Sequence, residues 1–306
     1  MIIRLSTLSD FEQHTRSRYL VVGGEGQVGS RLVSHFKENN QYVFSTVFFK
    51  DQIGEDEVFL DLSKDFSEKS IPGRFDVAFL CAALTSTELC RAQPLITRKV
   101  NVDNTLALAR QLSKHGTALF FPSTNLVFDG SLPFRKAHDP VNPSCEYGRQ
   151  KVETECGLAE LTDRLAIIRF TKIIASGMVL LQNWVSDLRQ GKIIHPFSDM
   201  VLAPVSLRYA AEAIVKIMQG ENYGLWQVSA KADVTYEEMA RYLAQKMGVS
   251  QKLIRPVQAT QSGLVLQSIP PFSTLDTSRL NDELGLESPD AWEALDEFIK
   301  VQVKNG

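Results

Sequence analysis

A glycine-rich turn separates a short apolar run from an amphipathic segment near the start of the chain. The run Tyr19–Val22 predicts a buried strand, and residues from about 29 to 38 predict a helix. Between them, Gly23, Gly26 and Gly29 have the spacing G-x-x-G-x-x-G. A strand, a tight turn and a helix in this order can bind the pyrophosphate of a dinucleotide, because bare backbone approaches the phosphates at a helix N-terminus. The turn therefore predicts a dinucleotide-binding α/β fold.

Short apolar runs and amphipathic segments alternate through the first half of the chain. Further strands are predicted at 42–49, 58–60, 75–80, 118–121 and 165–170, and further helices at about 88–114 and 147–160. Near-continuous apolar strands separated by helices are typical of a parallel sheet covered on both faces. We therefore predict a Rossmann-type, doubly wound parallel sheet, which binds its ligands at the carboxyl ends of the strands.

The pattern becomes less regular after residue 170 and predicts a smaller C-terminal substrate lobe. Helices are expected at about 178–190, 206–219 and 289–301, a strand at 224–229, and a capping box at Thr235 and Glu238. We assign residues 1–170 to an NAD(P)-binding Rossmann domain, to which 205–229 is expected to return. Residues 171–204 and 230–306 are assigned to the substrate-binding lobe, and no role is assigned to the first eighteen residues.

Composition and charge exclude several classes of protein. The 306 residues carry a formal net charge of −3 with both signs interspersed, so no basic surface for nucleic acid is expected. No run approaches the ~18 apolar residues of a membrane span, and the first residues lack the apolar stretch of a secretory signal. The four cysteines are widely spaced, with no C-x-x-C. We therefore expect reduced thiols, no metal site, no membrane partner and a cytoplasmic location.

The end of the second predicted strand bears on the choice of dinucleotide. NAD enzymes usually place Asp or Glu there, to bond the ribose 2′-hydroxyl. This strand instead ends at Phe49 and Lys50, and Asp51 comes only afterwards. Lys50 can neutralise a 2′-phosphate, and Arg31 near the start of the first helix can contribute. We predict NADP, with NAD as the alternative, since a shift of the strand end by two residues would reverse the prediction.

A hydroxyl, a phenol and an ammonium group are predicted at one end of the sheet. Tyr147 and Lys151 are four residues apart at the start of a predicted helix and therefore point to one face. Ser123 and Thr124 closely follow the predicted strand 118–121, at its carboxyl end. This is where a doubly wound fold binds its ligand.

These three side chains have the chemistry that carbonyl reduction needs. Hydride addition to a carbonyl leaves an alkoxide that must receive a proton. Tyrosine has a free pKa of about 10, which a neighbouring ammonium lowers toward the working range. We therefore predict Tyr147 as the proton donor, Lys151 as the group that tunes it and bonds the nicotinamide ribose, and Thr124 as the group that holds the substrate oxygen.

These motifs together resemble the extended short-chain dehydrogenases/reductases, and within them the dTDP-4-dehydrorhamnose reductase family. The matching segments, in order, are Gly26–Gly29, Asp61–Ser63, Cys81–Ala83, Asn101–Val102, Ser123–Phe128 and Tyr147–Lys151. The resemblance is good from residue 19 to 169 and looser from there to about 301. It implies that Thr124, Tyr147 and Lys151 are the catalytic set.

The resemblance also assigns cofactor contacts. Asp61 and Leu62 are expected against the adenine, Ala82 and Ala83 along the cofactor, and Asn101 near the active-site helix. With the glycine turn and Lys50, the predicted cofactor-binding residues are Gly23, Gly26, Gln27, Val28, Gly29, Lys50, Asp61, Leu62, Cys81, Ala82, Ala83, Asn101, Tyr147 and Lys151.

Asn125 and Leu126 depart from the family pattern, which usually has Asp-Tyr at these positions. The replacement removes a charge and a phenol next to the reaction centre, so the substrate is not fixed as dTDP-4-dehydrorhamnose. It also argues against the sister 4,6-dehydratases, which need a Thr-Asp-Glu run. We predict an NADP(H)-dependent oxidoreductase that reduces a keto group of a nucleotide sugar, with the sugar, the base and a homodimeric state left open.

Two other functions remain as alternatives. The chain also resembles the β regulatory subunit of methionine adenosyltransferase, which shares the fold, an NADP site and the segment Val127–Gly130, and works by binding a partner. An NAD-dependent sugar-nucleotide epimerase is the second alternative. In the C-terminal part, the candidates to meet a diphosphate or a base are Lys172, Lys192, Arg208, Arg255 and Trp184. A solvated charge or a core aromatic is the simpler interpretation of each.

Overall fold

The computed structural model describes residues 17–48, 53–67, 70–262 and 268–304. In these ranges the strands are β1 (Arg18–Val22), β2 (Tyr42–Val47), β3 (Glu57–Phe59), β4 (Val77–Leu80), β5 (Ala118–Thr124), β6 (Leu165–Phe170), β7 (Ile173–Ile174), β8 (Val201–Leu202), β9 (Val205–Ser206), β10 (Gly224–Val228) and β11 (Val234–Thr235). The α-helices are α1 (Gln27–Glu38), α2 (Thr87–Ala92), α3 (Pro94–Arg98), α4 (Thr105–Ser113), α5 (Glu146–Ala159), α6 (Val179–Arg189), α7 (Leu207–Gln219), α8 (Tyr236–Met247), α9 (Ser278–Leu284) and α10 (Ala291–Lys304).

The central sheet has the strand order β3-β2-β1-β4-β5-β6-β10, and every neighbouring pair is parallel. The chain runs outward from β1 to β3 and then returns to β4 on the other side of β1. This reversal opens a crevice at the carboxyl ends of β1 and β4, where doubly wound sheets bind ligands. The predicted Rossmann-type fold is confirmed.

Alternate residues of β1 enter two different apolar cores, because successive side chains of a strand point to opposite faces. Tyr19 and Val21 belong to one buried cluster, and Leu20 and Val22 to the other. The first cluster continues from the sheet face into helices α6, α7, α8 and α10. The sheet and the C-terminal helices therefore share one core, which holds the crevice walls in place.

Residues 205–229 contribute α7 and β10. Strand β10 pairs with β6 from Gly224 opposite Ala166 to Val228 opposite Phe170. The expected capping box at the start of α8 is present, since Thr235 and Glu238 each bond the backbone N–H of the other. The division of the chain into a cofactor-binding domain and a substrate-binding lobe stays a prediction.

The single helix predicted at 88–114 is wrong. Helix α2 ends at Ala92, and Pro94, which has no N–H to donate, starts the separate helix α3. A six-residue π-helix, Lys99–Asn104, then precedes α4. Wide turns of this kind are frequent at functional sites, and this one carries Asn101.

Two observations concern the described residues alone. None of their helices combines the length and the apolar character that crossing a membrane requires. They also contain no group of three or more His, Cys, Asp or Glu side chains arranged to hold a metal ion.

Candidate active site

The glycine turn joins β1 to α1 at the crevice. Gly23 has a φ of +83°, and its N–H donates to Oγ1 of Thr46 at 2.9 Å. A side chain at Gly23 would meet the backbone of Ala82, and one at Gly29 would overlap the carbonyl oxygen of Gly23. Both positions therefore need glycine for the turn itself, because α1 packs directly on the strand end.

Gly26 has a different role, since its backbone is extended, with φ −69° and ψ 161°. A Cβ at Gly26 would meet only the carbonyl oxygen of Gly23, at 3.3 Å, so the fold leaves the space beside Gly26 mostly open. No side chain caps α1, and its first turn contains no acidic residue. Unpaired N–H groups and the positive end of the helix dipole therefore suit the pyrophosphate of a dinucleotide.

The segments after β3 and β4 lie near this turn. Cys81, Ala82 and Ala83 follow β4 and are half-buried. Asn104 Nδ2 donates to the carbonyl oxygen of Leu62 at 2.7 Å and holds that loop in place.

The Asp61 carboxylate forms its hydrogen bonds mainly within its own loop. Its Oδ1 accepts from the N–H and the hydroxyl of Ser63 at 2.9 and 2.6 Å. Burial alone would raise the pKa of Asp61, but the bonds from Ser63 and the nearby Lys64 hold it below its usual value. Asp61 is therefore ionised and oriented at neutral pH.

Helix α5 presents Tyr147 and Lys151 at the carboxyl end of β5. Its first turn packs on the 3₁₀ turn Asn125–Val127, which follows Thr124 directly. A side chain at Gly148 would overlap the carbonyl oxygen of Leu126, so this close approach depends on glycine. Gly148 was not identified from the sequence, although a glycine directly after the predicted proton donor was the available signal.

Tyr147 is buried, with 8% of its surface exposed, in an apolar cluster with Cys90, Cys145 and the partly buried Leu126. Burial, followed by the two neighbouring cysteines, raises the pKa of Tyr147 above its ordinary value, which is opposite to the lowering expected from Lys151. The phenol therefore keeps its proton at neutral pH, which is the form that a proton donor needs.

Lys151 is 4% exposed, and its Nζ donates to the carbonyl oxygen of Pro122 on β5 at 2.8 Å. Its Nζ also lies 4.1 Å from the ring centroid of Phe121 and 5.9 Å from that of Tyr147. Burial lowers the pKa of Lys151 to about 8, against the opposing effect of Glu155. Lys151 is therefore mainly an ammonium at pH 7, one turn along α5 from Tyr147.

The hydroxyl of Thr124 lies at the start of the 3₁₀ turn. Its Oγ1 accepts from the N–H of Leu126 at 3.2 Å. Asn125 turns toward the C-terminal part of the chain, and its Nδ2 donates to Oγ of Ser273 at 3.0 Å. The residue that departs from the family pattern therefore links the end of β5 to the segment after residue 268.

Asn101 connects the loop after β4 to α5. Its Nδ2 donates to Oε1 of Gln150 at 2.8 Å and to the carbonyl oxygen of Leu84 at 2.9 Å, and its Oδ1 accepts from the N–H of Leu84. Gln150 in turn donates to Oγ1 of Thr97 at 2.9 Å. Gln150 was not identified from the sequence, because its partners lie about fifty residues away along the chain.

A buried ion pair lies one turn beyond Lys151. Arg169 Nη2 donates to Oε2 of Glu155 at 2.6 Å, and the two side chains are 4% and 6% exposed. Ser123 donates to Oε1 of the same carboxylate at 2.5 Å. The pair therefore joins α5, β6 and the residue before Thr124, and nothing in the local sequence pattern indicated it.

The other candidate residues are not brought to this site. Lys50 lies outside the described residues. Trp184 is a core residue whose ring meets Tyr236 edge-on, which agrees with its simpler interpretation as a core aromatic. Arg208 is paired with Glu297 and Glu212, Lys192 with Asp187, and Arg31 with Glu38, whereas Lys172 and Arg255 are exposed.

Gly148→Ala is expected to lower turnover sharply, although alanine favours helix by about 1 kcal/mol over glycine. The added methyl group must push α5 away from Leu126 and separate Tyr147 from Thr124. The matched control is Gly157→Ala in the same helix, where the methyl group meets only the flexible side chain of Leu106. Activity and unfolding measurements on both variants check this, and equal activities would contradict the role given to Gly148.

Comparison with known proteins agrees with this geometry. A family model described as the RmlD substrate binding domain matches residues 17–303. A dTDP-4-dehydrorhamnose reductase of Aggregatibacter actinomycetemcomitans is 25% identical over 294 residues, which cover 91% of this chain and 97% of that protein. Methionine adenosyltransferase 2 subunit beta of Bos taurus is 24% identical over 282 residues, covering 88% and 83%.

A solved structure resembles the whole fold. The dTDP-4-dehydrorhamnose reductase from Bacillus anthracis str. Ames, crystallised in complex with NADP, superposes with a TM-score of 0.81 at 19% identity. The match covers 93% of this chain and 99% of that one. At this identity the likeness is evidence for the fold alone.

Proposed function

The chain belongs to the RmlD substrate binding domain family, and on this basis we propose that it is an NADP(H)-dependent oxidoreductase that reduces a keto group of a nucleotide sugar. The observation that carries the proposal is the convergence of Thr124, Tyr147 and Lys151 at the carboxyl end of β5. The start of α1, after the glycine turn, has no side-chain cap and is open to bind phosphate. The sequence resemblance to extended short-chain dehydrogenases/reductases leads to the same family, and that prediction is confirmed.

The bound cofactor would supply hydride to the carbonyl carbon of the substrate. Tyr147, which keeps its proton at neutral pH, then donates that proton to the carbonyl oxygen. Lys151 stabilises the phenolate that remains, because an ammonium favours a neighbouring anion. The Thr124 hydroxyl orients the substrate oxygen, and burial of all three side chains keeps bulk water away from the proton.

The cofactor assignment rests on the turn and the loops around it. The N–H groups at the start of α1 would bind the pyrophosphate, and the loop at Asp61 and Leu62 would face the adenine. Ala82 and Ala83 would lie along the cofactor. NADP is proposed, with NAD as the alternative; a cytoplasmic location and a homodimer remain predictions from the sequence.

The proposed function is tested by the oxidation of NADPH, followed by its absorbance, with a panel of 4-keto-6-deoxy nucleotide sugars. We expect oxidation that depends on both the sugar and the protein. The matched control is the same nucleotide linked to glucose, which has no keto group and should give none. The panel also identifies the base and the sugar, which Asn125 and Leu126 leave open.

The same experiment distinguishes the reductase from the regulatory alternative, which is based on the similarity to methionine adenosyltransferase 2 subunit beta. A regulatory chain would bind NADP(H), oxidise it with no sugar of the panel, and form a stoichiometric complex with a methionine adenosyltransferase. That combination of results would contradict the reductase proposal.

A further inference from the structure

Glu25, in the middle of the glycine turn, reaches the end of the second strand. Its Oε2 accepts from the N–H of Phe48 at 2.7 Å. Phe48 directly follows β2, and the N–H of Gly24 donates to the carbonyl oxygen of Thr46 at 2.9 Å. With the bond from the N–H of Gly23 to the Thr46 hydroxyl, three hydrogen bonds join the turn to the strand end, and the Glu25 carboxylate lies between them.

The end of the second strand is where a doubly wound fold generally binds the adenosine ribose. Proteins of this architecture that bind NAD usually present an acidic side chain at the end of the second strand, where it accepts from the ribose 2′-hydroxyl. Here the strand itself ends in apolar residues, and the carboxylate comes from the turn. Glu25 is exposed, and within the described ranges its contact with Phe48 is its one polar contact, so Oε1 is free to accept a hydrogen bond.

The charge of Glu25 acts differently on the two dinucleotides. A carboxylate can accept a hydrogen bond from the 2′-hydroxyl of NAD(H). The 2′-phosphate of NADP(H) has no hydroxyl there and carries about −1.5 to −2 charges at pH 7, so the carboxylate repels it. Lys50, which the sequence places nearby, would act in the opposite direction.

We propose that Glu25 sets the cofactor preference of this chain, by bonding the adenosine ribose of NAD(H) and opposing the 2′-phosphate of NADP(H). The inference rests on the proposed function and deepens it: the protein accepts both cofactors. We expect the dissociation constants of the two cofactors to differ by no more than about tenfold.

The variant Glu25→Gln isolates the charge. Glutamine keeps an oxygen that accepts from Phe48, so the turn stays joined to the strand. It removes the negative charge that faces the ribose. Glu160→Gln is the matched control, because Glu160 is an exposed residue at the C-terminal end of α5, far from the glycine turn, and its loss changes the net charge equally.

Dissociation constants are measured by fluorescence for NADPH and NADH with the parent protein and both variants. Adenosine 2′,5′-bisphosphate and 5′-AMP, used as fragments, report the 2′ position without the nicotinamide. We expect Glu25→Gln to shift the ratio toward NADPH, and toward the bisphosphate, by about tenfold. The shift should shrink at high salt, because exposed charges are screened, and Glu160→Gln should leave the ratio unchanged.

The outcomes separate the two proposals. If the parent binds both cofactors and Glu25→Gln leaves their ratio unchanged, the role of Glu25 is overturned and the reductase proposal stands. If the variant weakens both cofactors equally and lowers the melting temperature, Glu25 is structural and the inference is wrong. If the parent binds neither cofactor and neither fragment, both proposals fail.

Discussion

Tyr147→Phe is expected to reduce turnover by about 10²–10⁴-fold, the range for a lost general acid, while NADPH still binds. The substitution removes the hydroxyl that we propose as the proton donor and leaves the ring in its apolar surroundings of Cys90, Cys145 and Leu126. No cavity and no charge are introduced, so the fold should be preserved.

Steady-state kinetics and NADPH binding on the same preparations check this expectation. The matched control is Tyr209→Phe, which removes another buried phenol, one that donates to the carbonyl oxygen of Glu287 at 2.8 Å in the C-terminal part of the chain. That variant should lose about 1 kcal/mol of stability and keep its turnover. A Tyr147→Phe protein that retained most of its turnover would show that another group donates the proton.

Glu155→Gln is expected to lower the free energy of unfolding by about 3–5 kcal/mol, because it leaves the buried Arg169 guanidinium without a counter-charge. The pair is nearly fully buried, and its carboxylate also accepts a hydrogen bond from Ser123. Little water can therefore reach the guanidinium to replace the lost charge. Turnover should fall as well, since Ser123 holds the strand end that carries Thr124.

Urea denaturation of the parent and two variants measures this effect. Glu153→Gln, on the same helix, is the matched control, since its carboxylate is 46% exposed and paired with Arg98. A surface pair of this kind contributes about 0–1 kcal/mol, and its contribution falls with added salt. Equal losses of unfolding free energy in the two variants would show that the buried pair contributes no more to stability than the surface pair.

The fold was predictable because its signals are local. The spacing of Gly23, Gly26 and Gly29 and the apolar runs around them repeat with the periods of a strand and a helix. The prediction of a single helix at 88–114 was wrong. The apolar period of this segment continues across Pro94, a local break signal that stands in the sequence, whereas the π-helix that follows has no such local signal.

The candidate site also contains residues that local signals predict and residues that they do not. Tyr147 and Lys151 are four residues apart, so helical geometry alone places them on one face, and Thr124 follows from the end of a strand. The residues that support them were not predictable: Gln150 meets Asn101 over 49 residues of sequence, and Arg169 reaches Glu155 from a different element.

What the sequence alone determined about this protein is therefore the layer architecture, the glycine turn that we propose binds phosphate and the positions of the proposed catalytic side chains, because each depends on residues within about one turn of helix or one strand. Tertiary structure decided which side chains support them and which side chain lies at the end of the second strand. Glu25 meets Phe48 across 23 residues, since β1 and β2 pair in parallel and bring the glycine turn to the end of the second strand. A contact of this kind depends on strand register, which has no local signature in the chain.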